Sequence, residues 1–346
     1  MINFNHHRFS ELKKKFKSKK IVVIGDMMLD TYLWGEVRRI SPEAPVPVVE
    51  IGNEIYRFGG AANVALNIQK LGGTPIPIGV VGKDNDGIIF SSLLKEINIQ
   101  DEGIIIDETR PTTAKTRVIA DNQHVVRIDR ESKEYLNRKN VNRIYDYLRE
   151  ISNTIDGIIL QDYNKGVLSS ALIERITGLA KSKKILVTVD PKFSNFFNYK
   201  NVTVFKPNRK EAEDVLGIKI KTDEDVKLAG KKLLEKLKAK YVLLTLGEEG
   251  IAVFEKGRAE KRMPTQAKKV ADVSGAGDTV ISTLSMALAS GASIYEASYL
   301  ANYAAGIVCE EVGIVPIELE KLFNKVFSEN KSAGQAASTK KSPSKK

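Results

Sequence analysis

From Glu134 to Leu244 the chain alternates short apolar runs with longer amphipathic ones, and few folds admit that alternation. The pattern predicts a helix to Ile151, strand Gly157 to Leu160, helix Ser169 to Lys181, strands Ile185 to Val189 and Val202 to Phe205, helices Lys210 to Leu216 and Asp223 to Leu237, and strand Tyr241 to Leu244. Strands joined through helices run parallel, and strands apolar on both sides are buried on both faces. Strand Lys20 to Asp26, strand Pro75 to Val81, helix Asp84 to Ile97 and strand Gly103 to Ile106 extend the same design towards the N-terminus. The expectation is an α/β three-layer sandwich. Its mostly parallel central sheet binds ligands beyond the carboxyl ends of the strands.

Residues 31–58 break the alternation. Strand-like runs Thr31 to Arg39 and Val46 to Ile51 flank Ser41-Pro42-Glu43-Ala44-Pro45-Val46-Pro47, whose prolines exclude helix and central strand. A second hairpin, Thr112 to Ile119 and Gln123 to Asp129, turns at Asp121-Asn122. Together, 31–58 and 112–129 form a small β-lid. Its apolar residues Tyr32, Trp34, Val46 and Val48 need a cover, so a homodimer joined through the lid is expected.

The chemistry concentrates in Ala271-Asp272-Val273-Ser274-Gly275-Ala276-Gly277-Asp278-Thr279, which opens a small-residue helix, Ala276 to about Ser290. Gly275, Ala276 and Gly277 let backbone N–H groups approach an anion at a helix start. Asp278, in the first turn where the dipole favours its ionised form, is placed to take a proton from a group attacking that anion. An ordinary helix N-terminus is the plainer alternative. Phe58-Gly59-Gly60-Ala61-Ala62-Asn63 is a second glycine cradle, with Asn63 offering a donor and an acceptor. Asp30 lies near a strand end, as a polyol acceptor or a turn residue. Lys115 and Arg117 share one strand face, which suits a substrate phosphate or simply a solvated surface. Further candidates follow strands: Asp162, Tyr163 and Lys165; Asp190-Pro191-Lys192; Lys206-Pro207-Asn208. Asn208 and Glu211, three apart at a helix start, form either a capping box or a water-mediated Mg²⁺ site near phosphates. Thr245, Gly247 and Gly250 form a ligand-hugging turn, and Asn302 lies in the helix Ile294 to Glu311.

The net charge of +11 does not indicate nucleic acid. Residues 1–20 carry +6 and residues 331–346 carry +5, so the body is neutral. The expected organisation is a basic N-terminal extension (1–19), one domain (20–330) and a disordered Lys-rich tail (331–346). The single cysteine, Cys309, forms no internal disulfide. No run of about 18 apolar residues or secretory signal is present, and a cytoplasmic protein without membrane partners is expected. His6, His7 and His124 make no zinc set, no P-loop pattern occurs, and Gly25-Asp26-Met27-Met28 is not a dinucleotide fingerprint.

Together the motifs resemble those of the ribokinase-like (PfkB) carbohydrate kinases, over about residues 20–325. Gly59 to Asn63 resembles the first family signature, Asn208 to Glu211 its N-x-x-E motif, and Asp272 to Asp278 the second signature, with Val273 and Ser274 departing from its usual Thr and Val. Arg39 to Val49, Pro111 to Val118 and Ala301 to Gly306 are more closely similar to the family's heptose-7-phosphate kinases, in a form without an adenylyltransferase domain. The resemblance implies phosphorylation of the anomeric 1-hydroxyl of D-glycero-β-D-manno-heptose 7-phosphate by ATP and Mg²⁺, for ADP-heptose and lipopolysaccharide core synthesis. Another sugar, sugar-phosphate or nucleoside kinase is the alternative. It also implies that Asp278 is the base, that Asp30, Gly59, Gly60 and Asn63 hold sugar hydroxyls, that Asn208 and Glu211 position Mg²⁺, and that Thr245, Gly247, Gly250 and Asn302 line the ATP side. Lys115, Arg117 and Lys165 are expected at the substrate.

Overall fold

The computed structural model describes residues 6–121, 123–267, 269–311 and 313–328. In chain order the strands are β1 (Lys20–Gly25), β2 (Met27–Ile40), β3 (Pro47–Gly59), β4 (Thr74–Gly82), β5 (Ile104–Asp107), β6 (Thr113–Ala120), β7 (Gln123–Arg130), β8 (Gly157–Gln161), β9 (Leu186–Asp190), β10 (Val204–Phe205), β11 (Tyr241–Thr245), β12 (Ile251–Glu255) and β13 (Lys261–Met263). The helices are α1 (His6–Phe16), α2 (Gly60–Lys70), α3 (Asn85–Glu96), α4 (Arg138–Ile151), α5 (Ser170–Lys183), α6 (Arg209–Leu216), α7 (Asp223–Leu237), α8 (Ala276–Ala289) and α9 (Ile294–Cys309), followed by a helical stretch at 319–328.

Nine strands form one sheet in the order β13-β12-β11-β10-β9-β8-β1-β4-β5. It is parallel from β5 to β11 and closes with the antiparallel β12 and β13. The alternation of β1 shows why both faces are covered. Ile21 and Val23 pack with α1, α2, α8, α9 and residues 319–328, while Val22 and Ile24 pack with α4, α5 and α7. The result is the expected three-layer sandwich.

The lid is a separate four-stranded sheet, β3-β2-β6-β7. Only Asp26 separates β1 from β2, so the chain passes directly from the core sheet into the lid. β2 pairs antiparallel with β3 and parallel with β6. Trp34, Ile51, Val126 and Ile128 leave apolar surface exposed on this sheet, and Val46 does so in the connection between β2 and β3.

The N-terminus departs from expectation. Within the basic extension, residues 6–16 form α1, and Phe9, Leu12 and Phe16 are fully buried. The Phe9 ring lies 6.3 Å from Phe323 and 6.2 Å from Phe327. The apolar residues recur at helical spacing and make a stripe facing the core, with lysines outside. The average charge of the segment conceals that stripe. The expected tail at 331–346 and the turn residue Asn122 lie outside the described residues.

Candidate active site

Parallel strands deliver polar groups to one end of the sheet. β8 ends at Gln161 and is followed by Asp162 and Tyr163, β9 ends at Asp190, Lys206 follows β10, and β11 ends at Thr245. The start of α8 reaches the same end. Gly275, its N-cap, has φ +78°, a left-handed conformation that glycine adopts without strain.

Asp278 is buried in this first turn, with three donors around it. Asn63 Nδ2 donates to Oδ2 at 2.7 Å, while Gln161 Nε2 and Tyr163 Oη donate to Oδ1 at 3.0 and 2.8 Å. Burial is the largest influence on the carboxyl and raises its pKa to about 6; the Asn63 bond opposes this, and the Asp190 charge adds to it. The helix dipole therefore does not set the balance, as the sequence suggested; desolvation does. At neutral pH the group is still mostly ionised, and it is a far stronger base than an ordinary aspartate.

Of the three expected N–H donors, Ala276 N is already bonded to Val273 O at 3.3 Å. Gly277 N–H lies in the first turn, which offers no intrahelical acceptor. A Cβ on Gly277 would stand 3.7 Å from Lys206 Nζ and 3.8 Å from Asp190 Oδ2. Lys206 is buried and pairs with Asp190 at 3.0 Å. Lys192 Nζ pairs with Glu211 and lies 5.7 Å from the Tyr163 ring centre. Burial opposes its charge, but Glu211 and Asp190 outweigh that and raise its pKa. The α8 cradle thus faces two lysines.

A cavity of about 870 Å³ runs outward from this centre. Gly275, Ala276, Gly277 and Asp278 line it together with Asn208, Glu211, Thr245, Gly247, Gly250 and Asn302. Asn208 and Glu211 do form a capping box: Asn208 Oδ1 accepts from Glu211 N at 2.8 Å, and Glu211 Oε2 accepts from Asn208 N at 2.9 Å. Asn302 Nδ2 is also engaged, donating to Pro264 O at 2.6 Å. Among the described residues no cluster of three or more His, Cys, Asp or Glu could cage a metal. The carboxylates of Glu211 and Asp190 that face the cavity instead suit a cation held through water and phosphate oxygens.

Asn63 connects Asp278 to the lid side. Gly59 and Gly60 precede it, and a Cβ on Gly59 would stand 2.4 Å from Asp30 Oδ2. Gly60 has φ +55°. Asp30 is paired with Arg117 at 2.5 Å, while Lys115 and Lys165 both reach Glu131, at 3.5 and 2.7 Å; Lys115 also binds Asp129 at 3.0 Å. The three expected substrate cations are therefore paired with carboxylates, and Glu131 is an addition that its sequence surroundings did not single out. Asp26, at the end of β1, is structural. It accepts from the backbone of Tyr163, Lys165 and Val167 and so shapes the loop that presents Tyr163.

The family model for pfkB family carbohydrate kinases matches residues 18–321. The chain belongs to that family. It is an ATP-dependent carbohydrate kinase. It is 45% identical over 292 residues to the bifunctional protein HldE of Geobacter sulfurreducens, covering 84% of this chain and 60% of that protein. It is 43% identical over 307 residues to that of Desulfatibacillum aliphaticivorans, covering 89% and 63%. The kinase thus spans less than two thirds of these curated relatives. Among solved structures, Arabidopsis thaliana ribokinase complexed with ribose and ATP superposes with TM-score 0.70 at 20% identity, covering 89% of this chain and 98% of that one. Escherichia coli phosphofructokinase-2 in complex with substrates and products gives 0.72 at 19% identity, covering 90% and 99%. Both show the shared fold.

Gly59→Ala in this kinase drives a methyl group into the Asp30 carboxylate and disturbs its pair with Arg117. If those groups hold the sugar, KM for the sugar rises about tenfold, equivalent to roughly 1.4 kcal/mol, while KM for ATP stays unchanged. An unchanged sugar KM removes Asp30 from the sugar site.

Proposed function

We propose that this kinase transfers the γ-phosphoryl group of ATP to the anomeric 1-hydroxyl of D-glycero-β-D-manno-heptose 7-phosphate, forming the 1,7-bisphosphate as an ADP-heptose precursor. The observation that carries the reaction is the buried Asp278 carboxylate, between the α8 glycine cradle and the Asn63 junction to the lid. Similarity to bifunctional protein HldE at 43–45% identity supports the heptose assignment, as do the three segments resembling heptose-7-phosphate kinases.

The sugar hydroxyl oxygen attacks the γ-phosphorus, its proton passes to Asp278, and the bond from phosphorus to the ADP oxygen breaks with its electron pair staying on ADP. The N–H groups of Gly275 and Gly277, with Lys206 and Lys192, face the charge carried by the transferred group. Thr245, Gly247, Gly250 and Asn302 line the nucleotide side. Glu211 and Asp190 would hold Mg²⁺ through water and the ATP phosphates, where it supplies charge neutralisation. Lys115 and Lys165, which share Glu131, are the cations to which a distal sugar phosphate is assigned; on binding it would replace that carboxylate.

A coupled ADP-release assay tests the substrate across heptose 7-phosphate, fructose phosphates, ribose and nucleosides. The heptose phosphate is expected to give the highest kcat/KM, by about a hundredfold or more if its phosphate is held by two cations. A preference for an unphosphorylated sugar or a nucleoside rejects this assignment while leaving the kinase class intact.

A further inference from the structure

The two oxygens of Asp278 are not equivalent. Among the described residues, Oδ1 accepts from both Gln161 Nε2 and Tyr163 Oη, whereas Oδ2 accepts only from Asn63 Nδ2. A carboxylate oxygen has about two acceptor sites, so Oδ1 is filled and Oδ2 keeps one open. Beside them, Asn63 Oδ1 and Gln161 Oε1 are buried and have no hydrogen-bond partner among the described residues. Such acceptors are costly to leave empty and suit hydroxyl donors.

We infer that Gln161 and Tyr163 are positioning residues that occupy Asp278 Oδ1 and leave Oδ2 as the atom that receives the sugar hydroxyl proton. This rests on Asp278 being the base. Gln161 is fixed by its strand: it lies opposite Gly25 in the parallel ladder, where a Cβ would come within 1.9 Å of the Gln161 carbonyl oxygen. Its Nε2 also lies 3.3 Å from Asp190 Oδ2, which ties the base to the Asp190–Lys206 pair beneath the phosphate cradle. Tyr163 is held by the Asp26 carboxylate through its own N–H. Burial and the nearby Asp278 and Asp190 charges push its phenol well above the ordinary range, so it remains a donor.

The charged or titratable groups around Asp278 are Asp190 at the end of β9, Lys192 after it, Lys206 after β10 and Tyr163 after β8; the α2 side contributes the neutral Asn63. Both Oδ1 donors favour the ionised carboxylate. Removing either therefore makes Asp278 harder to ionise and moves the acid limb of activity to higher pH.

The test is kcat against pH, at saturating ATP and one sugar substrate, for the wild type and for Tyr163→Phe, Gln161→Met and Asp278→Asn. Thermal unfolding and ATP binding serve as controls for folding. Using one substrate throughout removes its own ionisation from the comparison. The inference predicts that the acid limb rises by about one pH unit in Tyr163→Phe and in Gln161→Met, with activity recovering at high pH. A limb that stays in place in both folded variants, with activity lowered equally at every pH, overturns the inference and leaves them as packing residues. Near-normal turnover in Asp278→Asn is a different failure, since it removes the base itself. If Gln161→Met unfolds, Tyr163→Phe, which deletes a single oxygen, decides the question.

Discussion

Asp278→Asn is expected to lower kcat by about a thousandfold while leaving ATP binding and the fold intact. The substitution keeps the shape of the side chain. Its oxygen can still accept from Gln161 and Tyr163, and its new amide nitrogen can donate to Asn63 Oδ1 once that amide flips, because Asn63 Oδ1 is buried and has no partner among the described residues. What is lost is the capacity to take up a proton. Stability should move the other way. Burial raises the folded-state pKa from 3.8 to about 6, so the stabilisation from the protonated form is complete below about pH 4 and lost as pH rises through about 6. Holding the charge at pH 7 therefore costs roughly 3 kcal/mol at most, about 1.4 for each unit of the shift. The neutral variant should melt no lower than the wild type at that pH. A calorimetric scan together with steady-state kinetics separates the two effects; a variant that loses activity only because it melts early contradicts this reading.

The second large effect is at Lys206. Lys206→Met keeps most of the volume but leaves Asp190 buried without the cation 3.0 Å away. Removing one partner of a buried pair typically costs about 3 kcal/mol or more, because the remaining charge is neither solvated nor neutralised. Gln161 Nε2, at 3.3 Å from Asp190, offsets part of that. Denaturant unfolding at pH 7 should show the loss. Lys83→Met is the comparison: Lys83 and Glu108 are paired at 2.6 Å, but both side chains are 70% exposed. Water and salt screen that exposed pair, so its loss should leave the unfolding midpoint almost unmoved. Equal losses in the two variants would mean that burial of the Lys206–Asp190 pair carries no special weight.

The sequence made the scaffold legible because its signal is local. Strands apolar on both faces, separated by helices with caps at Ser169, Asn208 and Thr222, specify a parallel sheet without reference to distant residues. Asp278 was legible for the same reason, since the glycines that expose it are its neighbours. Its surroundings were not. Asn63, Gln161 and Tyr163 are separated from it by 215, 117 and 115 positions, and only the assembled sheet with α2 and α8 packed on it brings them together. The desolvation that sets its basicity belongs to that assembly, which is why the argument from the helix dipole alone misjudged it. Pairing is equally non-local. Arg117 reads as a free cation on a strand, yet its partner, Asp30, is 87 positions away. At the N-terminus the error was one of averaging. The lysines dominated the composition of residues 1–20, while three buried apolar side chains at helical spacing determined the structure.

If ionised Asp278 accepts the substrate proton, kcat measured across pH 4.5 to 9 at saturating substrates must follow its titration. Half-maximal activity is expected near pH 6 on the acid side, matching the raised carboxyl, with a residual activity in Asp278→Asn that no longer has this limb. A wild-type profile without an acid limb, or the same limb persisting in Asp278→Asn, would contradict that role for Asp278.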